Sequence, residues 1–501
     1  MKCDDILPID MFIYFSYRLS PSPTSPSNTA GNIITQTHTM ANNSEHTLFR
    51  FLKTALQTHR RFLSGTLTRA EAPVYVIGNP SADLDSIISA ITYSYFANNT
   101  DRHHVPLINL PNVPSGSELH RLRPEFVKAL WLSTHPPARG EQPWEETPES
   151  AGAILHDHIL TVADFNAHME ENGKVNEKYQ ISADAVLVDW NALPNDTPDG
   201  QKGKGSLDGL PTVEFNVIGC VDHHQDDGFL RPGIQPKVIK KSGSCASLVI
   251  HTLNKRGIWS EGRAEDSHTP RMAAEEQVAS LAITPVLIDT TNLTAKDKVT
   301  QFDIQAVDFL TPKFNKDATD KDKLYAQVLE AKQNSLELLT VDEILDRDYK
   351  QWTETSPREP GTPLNIGFCS MVRSIPWVVR KAGSPQEFLD AVYKFASKRE
   401  LGIVVVMAAF SSSDDRFHRE LFVCALDEGL AVDALKNFVK QSSSQLGLEE
   451  WSSLDGDGVA INDFLNSDGT HKWRHIWTAT DITKSRKQVA PMMREAVTSL
   501  R

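Results

Sequence analysis

The chain predicts an α/β protein: a doubly wound, mainly parallel sheet followed by a smaller α/β lobe. Three observations predict this. First, four apolar runs each stop abruptly at acidic or imidazole side chains: VYVIGNPSADLDS (Val74–Ser86), AVLVDWN (Ala185–Asn191), NVIGCVDHHQDDG (Asn216–Gly228) and PVLIDTTNL (Pro285–Leu293). Unbroken Val/Ile/Leu runs are what strands buried on both faces look like. Second, from Pro73 to about Leu310 such runs alternate with helix-like segments, the pattern of a parallel sheet wound by helices. Third, a charged stretch of helical period, Lys321–Trp352, separates this part from a second set of strands and helices.

Each element follows from local pattern. His46–Leu63 is amphipathic with helical period. Ser86–Asn98 follows the first motif at once and reads as its crossover helix. Ser244–Gly257 reads as a helix, with Ser242, Gly243 and Ser244 at its start and Gly257 at its end. Glu275–Asp289 runs from helix into a strand. Three polar, Pro/Gly-rich insertions, His135–Ser150, Asp196–Pro211 and Ser260–Arg271, read as surface loops. In the second unit Leu364–Val372 and Gly402–Ala409 read as strands and Pro385–Lys398 as a helix. The expected organisation is a disordered tail over 1–45, within which 1–39 is dispensable, a catalytic metal-binding domain over 46–320, a helical linker over 321–352 and a C-terminal lobe over 353–501.

Composition excludes several classes. No apolar stretch approaches the roughly 20 residues of a membrane span. A net charge of −14 argues against general nucleic-acid binding, although a local basic pocket can still hold an anion. The 5 cysteines form no CxxC pair, so they read as reduced thiols in a cytoplasmic compartment. A monomer is expected, with neither membrane nor nucleic acid as partner.

Ligands of open parallel sheets bind at the carboxyl ends of strands. Folding would therefore bring Asp83, Asp85, Asp189, Asp222, His223, His224 and Asp289 together. Hard oxygens plus imidazole, without thiolate, suit a pair of Mg²⁺ or Mn²⁺ ions. Gly78 and Asn79 permit a sharp exit from the first strand, and Asp83 and Asp85, two apart, can face one cavity. The plainer alternative there is a helix N-cap, and for Asp222-His223-His224 it is a solvated turn. Asp189 and Asp289 carry weight only as members of the set. KSRK (Lys484–Lys487) lies in a basic stretch that could face an anionic substrate; the alternative is an ordinary basic helix end. His59, His103, His104, His156 and His158 lack such a partner set and read as surface or structural residues.

The four segments resemble, in order, the four motifs of the DHH phosphoesterases. DYK (Asp348–Lys350), LNIGFCSMV and SRKQVAP resemble the substrate-binding lobe shared by family II inorganic pyrophosphatases and exopolyphosphatases. The resemblance covers about residues 70–500. GNPSADLDSIISAITYSY and PLINLP resemble the fungal cytosolic exopolyphosphatase branch in particular.

This likeness implies roles. Asp83 would bind the first metal and Asp85 the second, with Asp189 bridging both. His223 and Asp289 would complete the second site. His224 would contact the phosphate under attack, and Asp222 would support the histidines. Lys350, Arg486 and Lys487 would hold phosphate oxygens, with Ser485 beside them. Family II pyrophosphatases carry histidine where this chain has Asn79, whose ligation would be weak or indirect. An amide oxygen is the harder donor, which favours Mg²⁺ and, through the branch that shares it, polyphosphate. The expected function is exopolyphosphatase. A pyrophosphatase or nucleotide phosphodiesterase on the same site, and a non-catalytic scaffold, stay open.

Overall fold

The computed structural model describes residues 47–500, apart from residues 99, 136, 138–140, 175–180, 197–200, 261–269, 314–319, 413–415, 453–457 and 468–472. The tail expected over residues 1–45 lies outside the described residues, as does the core of the Ser260–Arg271 insertion.

The fold is mixed α/β with two sheets. The first contains β1 (Val74–Ile77), β2 (His104–Leu107), β3 (Ile181–Val188), β4 (Asn195–Asp196), β5 (Lys204–Leu207), β6 (Leu210–Asp222) and β7 (Lys237–Ile239). Its order is β2-β1-β3-β6-β5-β4, with β7 also paired to β6. β2, β1, β3, β6 and β7 pair in parallel, whereas β5 and β4 add on antiparallel. The helices of this part are α1 (Leu48–Leu63), α2 (Leu84–Ala97), α3 (Ser117–Leu122), α4 (Pro124–Ser133), α5 (Pro148–His158), α6 (Val162–Glu171), α7 (Cys245–Lys255), α8 (Pro270–Asp289) and α9 (Gln301–Leu310).

β1 is buried throughout because its two faces feed different cores. Val74 and Val76 pack with α2, α4, α7 and α8, while Tyr75 and Ile77 pack with α1 and α6. The period of two sorts side chains to opposite faces, so a strand covered on both sides has no polar positions.

Two expectations are corrected here. Asp289 does not end a strand: α8 is one helix through Asp289, with Pro285 inside it. A buried helix and a buried strand both give a short apolar run, which periodicity cannot separate. Pro285 has no N–H for the Leu281 carbonyl, and Thr284 Oγ1 donates to that carbonyl instead, at 2.7 Å. Asp196–Pro211 is not simply a loop. It carries β5 and the start of β6, joined by a hairpin at Asp208-Gly209, where Leu207 pairs with Leu210.

The stretch Lys321–Trp352 holds α10 (Lys321–Asn334) and α11 (Val341–Arg347), then enters a strand at Tyr349. Leu324 and Val328 of α10 join the first core, and Ile344 and Leu345 of α11 join the second. The second sheet contains β8 (Tyr349–Thr355), β9 (Pro363–Met371), β10 (Ile403–Ser411), β11 (Phe417–Ala425), β12 (Leu448–Glu450) and β13 (Arg474–Ala479), ordered β12-β13-β11-β10-β9-β8. Only β9 and β10 pair in parallel there. Its helices are α12 (Ile375–Ala382), α13 (Pro385–Lys398), α14 (Leu430–Leu446), α15 (Gly458–Leu465) and α16 (Arg486–Thr498). α16 packs its Val489 and Met493 against the face of the sheet that bears Trp352.

Candidate active site

The first motif is a tight exit from β1. A Cβ at Gly78 would come 2.8 Å from Ser86 Cβ, so only glycine lets the strand end pass this close to α2. Asn79 Oδ1 accepts from Ser81 N at 2.8 Å and shapes the turn. Ala82 sits at φ 44°, a left-handed conformation that non-glycine residues adopt only when held there. Asp83 is the N-cap of α2 and accepts from Ser86 N at 3.1 Å. The capping alternative thus holds for Asp83, which does not stop its second oxygen from binding a cation.

Asp85 is committed differently. Its carboxylate accepts from Ser244 Oγ at 2.9 Å, Cys245 N at 2.6 Å and Ala246 N at 2.9 Å, the first turn of α7. A carboxylate at a helix N-terminus satisfies free N–H groups and complements the dipole. Asp85 therefore ties α2 to α7.

Asp189 lies where β3 ends, at φ 54°. Its Oδ2 accepts from Ser86 Oγ at 2.6 Å and Asn79 Nδ2 at 2.7 Å. Its Oδ1 is buried and has no hydrogen-bond donor among the described residues. That bare oxygen faces His223 Nε2 at 3.2 Å and His224 Nδ1 at 3.6 Å.

The tautomers follow from the partners. His223 Nδ1 lies 3.1 Å from the Ser242 carbonyl, which only accepts, so Nδ1 carries the proton and Nε2 presents a lone pair. A lone pair and a carboxylate oxygen facing each other inside the protein repel unless a proton or a cation lies between them. The Lys487 ammonium already points at His223 Nε2, at 3.3 Å. Asp189, His223 and His224 can together hold a metal ion. Their donor chemistry fits one: oxygen and neutral imidazole.

Asp222 organises the histidines. Its Oδ1 accepts from His224 Nδ1 and from His223 N, both at 2.8 Å, and its Oδ2 accepts from Asn191 Nδ2 at 2.5 Å. Burial alone would raise its pKa, but the bonds from His224 and Asn191 outweigh it and leave Asp222 at about 2. His224 is pulled down to about 4, mainly by burial, with Asp222 opposing and Lys350 assisting.

The acids repel one another. Burial, then the charges of Asp189 and Asp289, push Asp85 well up. Burial, then Asp83 and Asp222, push Asp189 well up. Burial raises Asp289 too, with Lys332, 4.0 Å away, opposing. Carboxylates with raised values take up protons at higher pH than free ones, so protons compete with a cation for them. Metal binding should therefore be linked to proton release, and apparent affinity should fall as pH falls. Calorimetry in buffers of different ionisation enthalpy would read the release; equal heats in every buffer would contradict it.

On the opposite side stand the predicted phosphate-binding cations. Arg486 donates to Asp348 O at 2.7 Å and to Asp348 Oδ1 at 2.8 Å. Lys350 lies on β8 two residues on, close enough to Asp189 and Asp83 to feel both charges. KSRK is not a basic helix end of the dipole-favoured kind, because it forms the N-terminus of α16. Cations there gain nothing from the dipole, whereas free N–H groups and positive side chains together favour an anion. Ser485 is the N-cap, its hydroxyl bonded to Gln488 Oε1 at 3.0 Å.

The predicted residues thus fall into groups. Asp189, His223 and His224 converge directly, with Asp222 behind them. Asp83, Asp85 and Asp289 surround them within electrostatic range. Asn79 reaches Asp189 through its NH₂ group, so the geometry gives it an indirect place. Sequence reasoning missed Asn191, Ser86, Ser242 and Lys332. Asn191 could have been found, since it follows Asp189 by two residues at the strand end. Ser86 and Ser242 read only as helix-start residues, and Lys332 carries no local signal. Of the histidines read as surface or structural, His59 and His104 are buried and His103 is exposed.

Residues 326–496 match the family model of the DHHA2 domain. A Schizosaccharomyces pombe protein named "putative exopolyphosphatase" is 27% identical over 460 residues, spanning 90% of this chain and 98% of that protein. The chain carries a match to the DHHA2 domain and is similar to this exopolyphosphatase-named protein over most of its length. Among solved structures, a Methanococcus jannaschii "putative family II inorganic pyrophosphatase" is 16% identical, with 84% of this chain and 99% of that chain covered and a TM-score of 0.45. A Bacteroides fragilis exopolyphosphatase-related protein is 12% identical, with 88% and 96% covered and a TM-score of 0.33. The DHHA2 match begins within α10 and takes in the whole second sheet. No helix among the described residues is long and apolar enough to cross a membrane.

Proposed function

We propose that this protein is an exopolyphosphatase, a cytoplasmic monomer that releases orthophosphate from the ends of inorganic polyphosphate. The observation that carries the reading is the bare, buried Asp189 Oδ1 set against the His223 lone pair, with the Lys487 ammonium 3.3 Å from that ring nitrogen and Lys350 within electrostatic range of Asp189. The exopolyphosphatase name of the Schizosaccharomyces pombe relative supports the substrate class. Asp83, Asp85, Asp189, His223 and Asp289 would hold two Mg²⁺ or Mn²⁺ ions. Bound ions of this kind acidify a water and offset charge on phosphate oxygens.

The protein's own residues do the rest. Lys350, Arg486 and Lys487 hold the phosphates behind the one under attack. His224 is neutral in the ligand-free site, its Nδ1–H fixed on Asp222. A phosphate dianion beside its Nε2 favours the imidazolium, which can then donate to a phosphate oxygen. Asp222, ionised throughout the neutral range, stabilises that cation. Asn79 aims Asp189 by donating to its Oδ2.

Pyrophosphate hydrolysis is the second reading, because the same groups serve it. Initial rates on pyrophosphate, tripolyphosphate and long chains decide. Faster release per enzyme from long chains supports the proposal; a marked preference for pyrophosphate overturns it.

Arg486→Ala and Lys487→Ala should raise KM for polyphosphate more than they lower kcat, since grip on the distal phosphates is shared by ground and transition states. The rise should be larger at low salt, where charges act on a polyanion unscreened. An unchanged KM in both variants would remove this lobe from substrate binding.

Asn79→His should raise the ratio of Mn²⁺- to Mg²⁺-supported rates, because nitrogen donors favour Mn²⁺ relative to Mg²⁺. The parent and variant are compared on pyrophosphate and long chains. An identical ratio would mean that residue 79 acts only through its hydrogen bonds to Asp189.

A further inference from the structure

Arg123 lies between α3 and α4, buried at 3% exposure, and belongs to none of the motifs above. Its Nη2 donates to two backbone carbonyls far apart in sequence. One is that of Ser81, inside the Asn79–Asp83 turn. The other is that of Arg347, at 2.6 Å, one residue before Asp348 and three before Lys350. A single guanidinium nitrogen thus joins the loop that carries Asp83 to the segment that carries the phosphate-binding lysine.

The surrounding charges show why the group is a cation. Glu125 binds Arg347 through both oxygens, at 2.7 and 2.8 Å, and lies 3.9 Å from Arg123 Nη1. Two buried arginines share one buried glutamate, which leaves one positive charge over. The other acids acting on Arg123 are Asp83, on the metal side, and Asp348, on the phosphate side. Arg123 Nε has no partner among the described residues. The side chain is held in place by its two carbonyls and by these carboxylates. Arg347 is fixed in turn by Leu122 O at 3.1 Å and Ser335 Oγ at 2.6 Å.

We propose that Arg123 is a positioning residue that sets the separation between the Asp83 loop and the Lys350–Arg486 grip. It touches no substrate. Its effect is confined to ligands that must reach both sides at once, a chain of two or more phosphates. This rests on the function proposed above. Misplacing either side by about 1 Å is the scale at which reaction geometry is lost.

The test uses the full chain with Mg²⁺ and two probes, orthophosphate and the non-hydrolysable diphosphate imidodiphosphate, with affinities read by calorimetry. Arg123→Met should weaken imidodiphosphate by roughly tenfold, the scale of one charge-assisted contact. Orthophosphate, which fits one side alone, should change much less. Arg123→Lys keeps the charge but cannot reproduce the planar fork, and should shift the same ratio part of the way. It also covers the case in which Arg123→Met does not fold. Arg121→Met is the control, since Arg121 pairs with Glu343 across the same region at the surface. Its ratio should stay at the parent value. Equal weakening of both probes in the Arg123 variants, or the same ratio change in Arg121→Met, would overturn the positioning role and leave only a stabilising one. A parent protein that binds neither probe would instead overturn the functional reading, and this inference with it.

Discussion

Asp189→Asn is expected to lower phosphate release at least roughly a hundredfold, the loss typical of removing one strong transition-state stabiliser. The amide keeps the shape of the carboxylate, so fold should be retained. Its failure is chemical. Oδ2 already accepts from Ser86 Oγ and Asn79 Nδ2, so an amide NH₂ placed there would meet the Asn79 NH₂. Turned the other way, the NH₂ faces His223 Nε2, where the ring offers a lone pair that it would satisfy. The variant thus supplies internally the donor that the parent lacks, and a cation loses its place. The expected result is low turnover with little change in thermal stability. Near-parental turnover would remove Asp189 from the reaction centre.

The largest stability effect is expected at Glu125→Ala. Glu125 is 2% exposed and pairs with Arg347, itself 8% exposed, through two hydrogen bonds. Removing the carboxylate leaves two buried guanidinium groups without their shared anion. Breaking one partner of a buried pair costs about 3–5 kcal/mol. Denaturant unfolding, followed through the first transition, would read it. A loss below about 1 kcal/mol, the range of exposed ion pairs, would show that water reaches the two arginines.

The strand ends were legible because burial on both faces leaves a continuous apolar run, and Asp189, Asp222 and the two histidines end such runs. The same reasoning misplaced Asp289, because α8 is also buried all round where it crosses the core and ends in the apolar run Val286–Ile288. The Thr284 hydroxyl that makes Pro285 tolerable within the helix is not visible as such in the sequence. The Asp208-Gly209 hairpin carried a clear signal, an Asp-Gly pair beside a leucine on either side, but its polar surroundings read as an insertion. Arg123 could not have been found. Its meaning depends on two carbonyls, 42 residues before it and 224 after it, and backbone acceptors have no signature in side-chain pattern. Ser86, by contrast, looked like a helix-start serine and also proves to hold Asp189, so the motif carries more than its capping role.

The central claim is that a divalent cation completes the Asp189–His223 pair, with His224 beside it, and that condensed phosphate is hydrolysed there. One time course tests it most directly: orthophosphate release from long-chain polyphosphate by the full chain, first stripped with a chelator and then resupplied with Mg²⁺ or Mn²⁺. The account predicts no release from the stripped protein and recovered release on adding either ion, with Asp189→Asn unresponsive. Undiminished release from the stripped protein, or no release under any of these conditions, would contradict it.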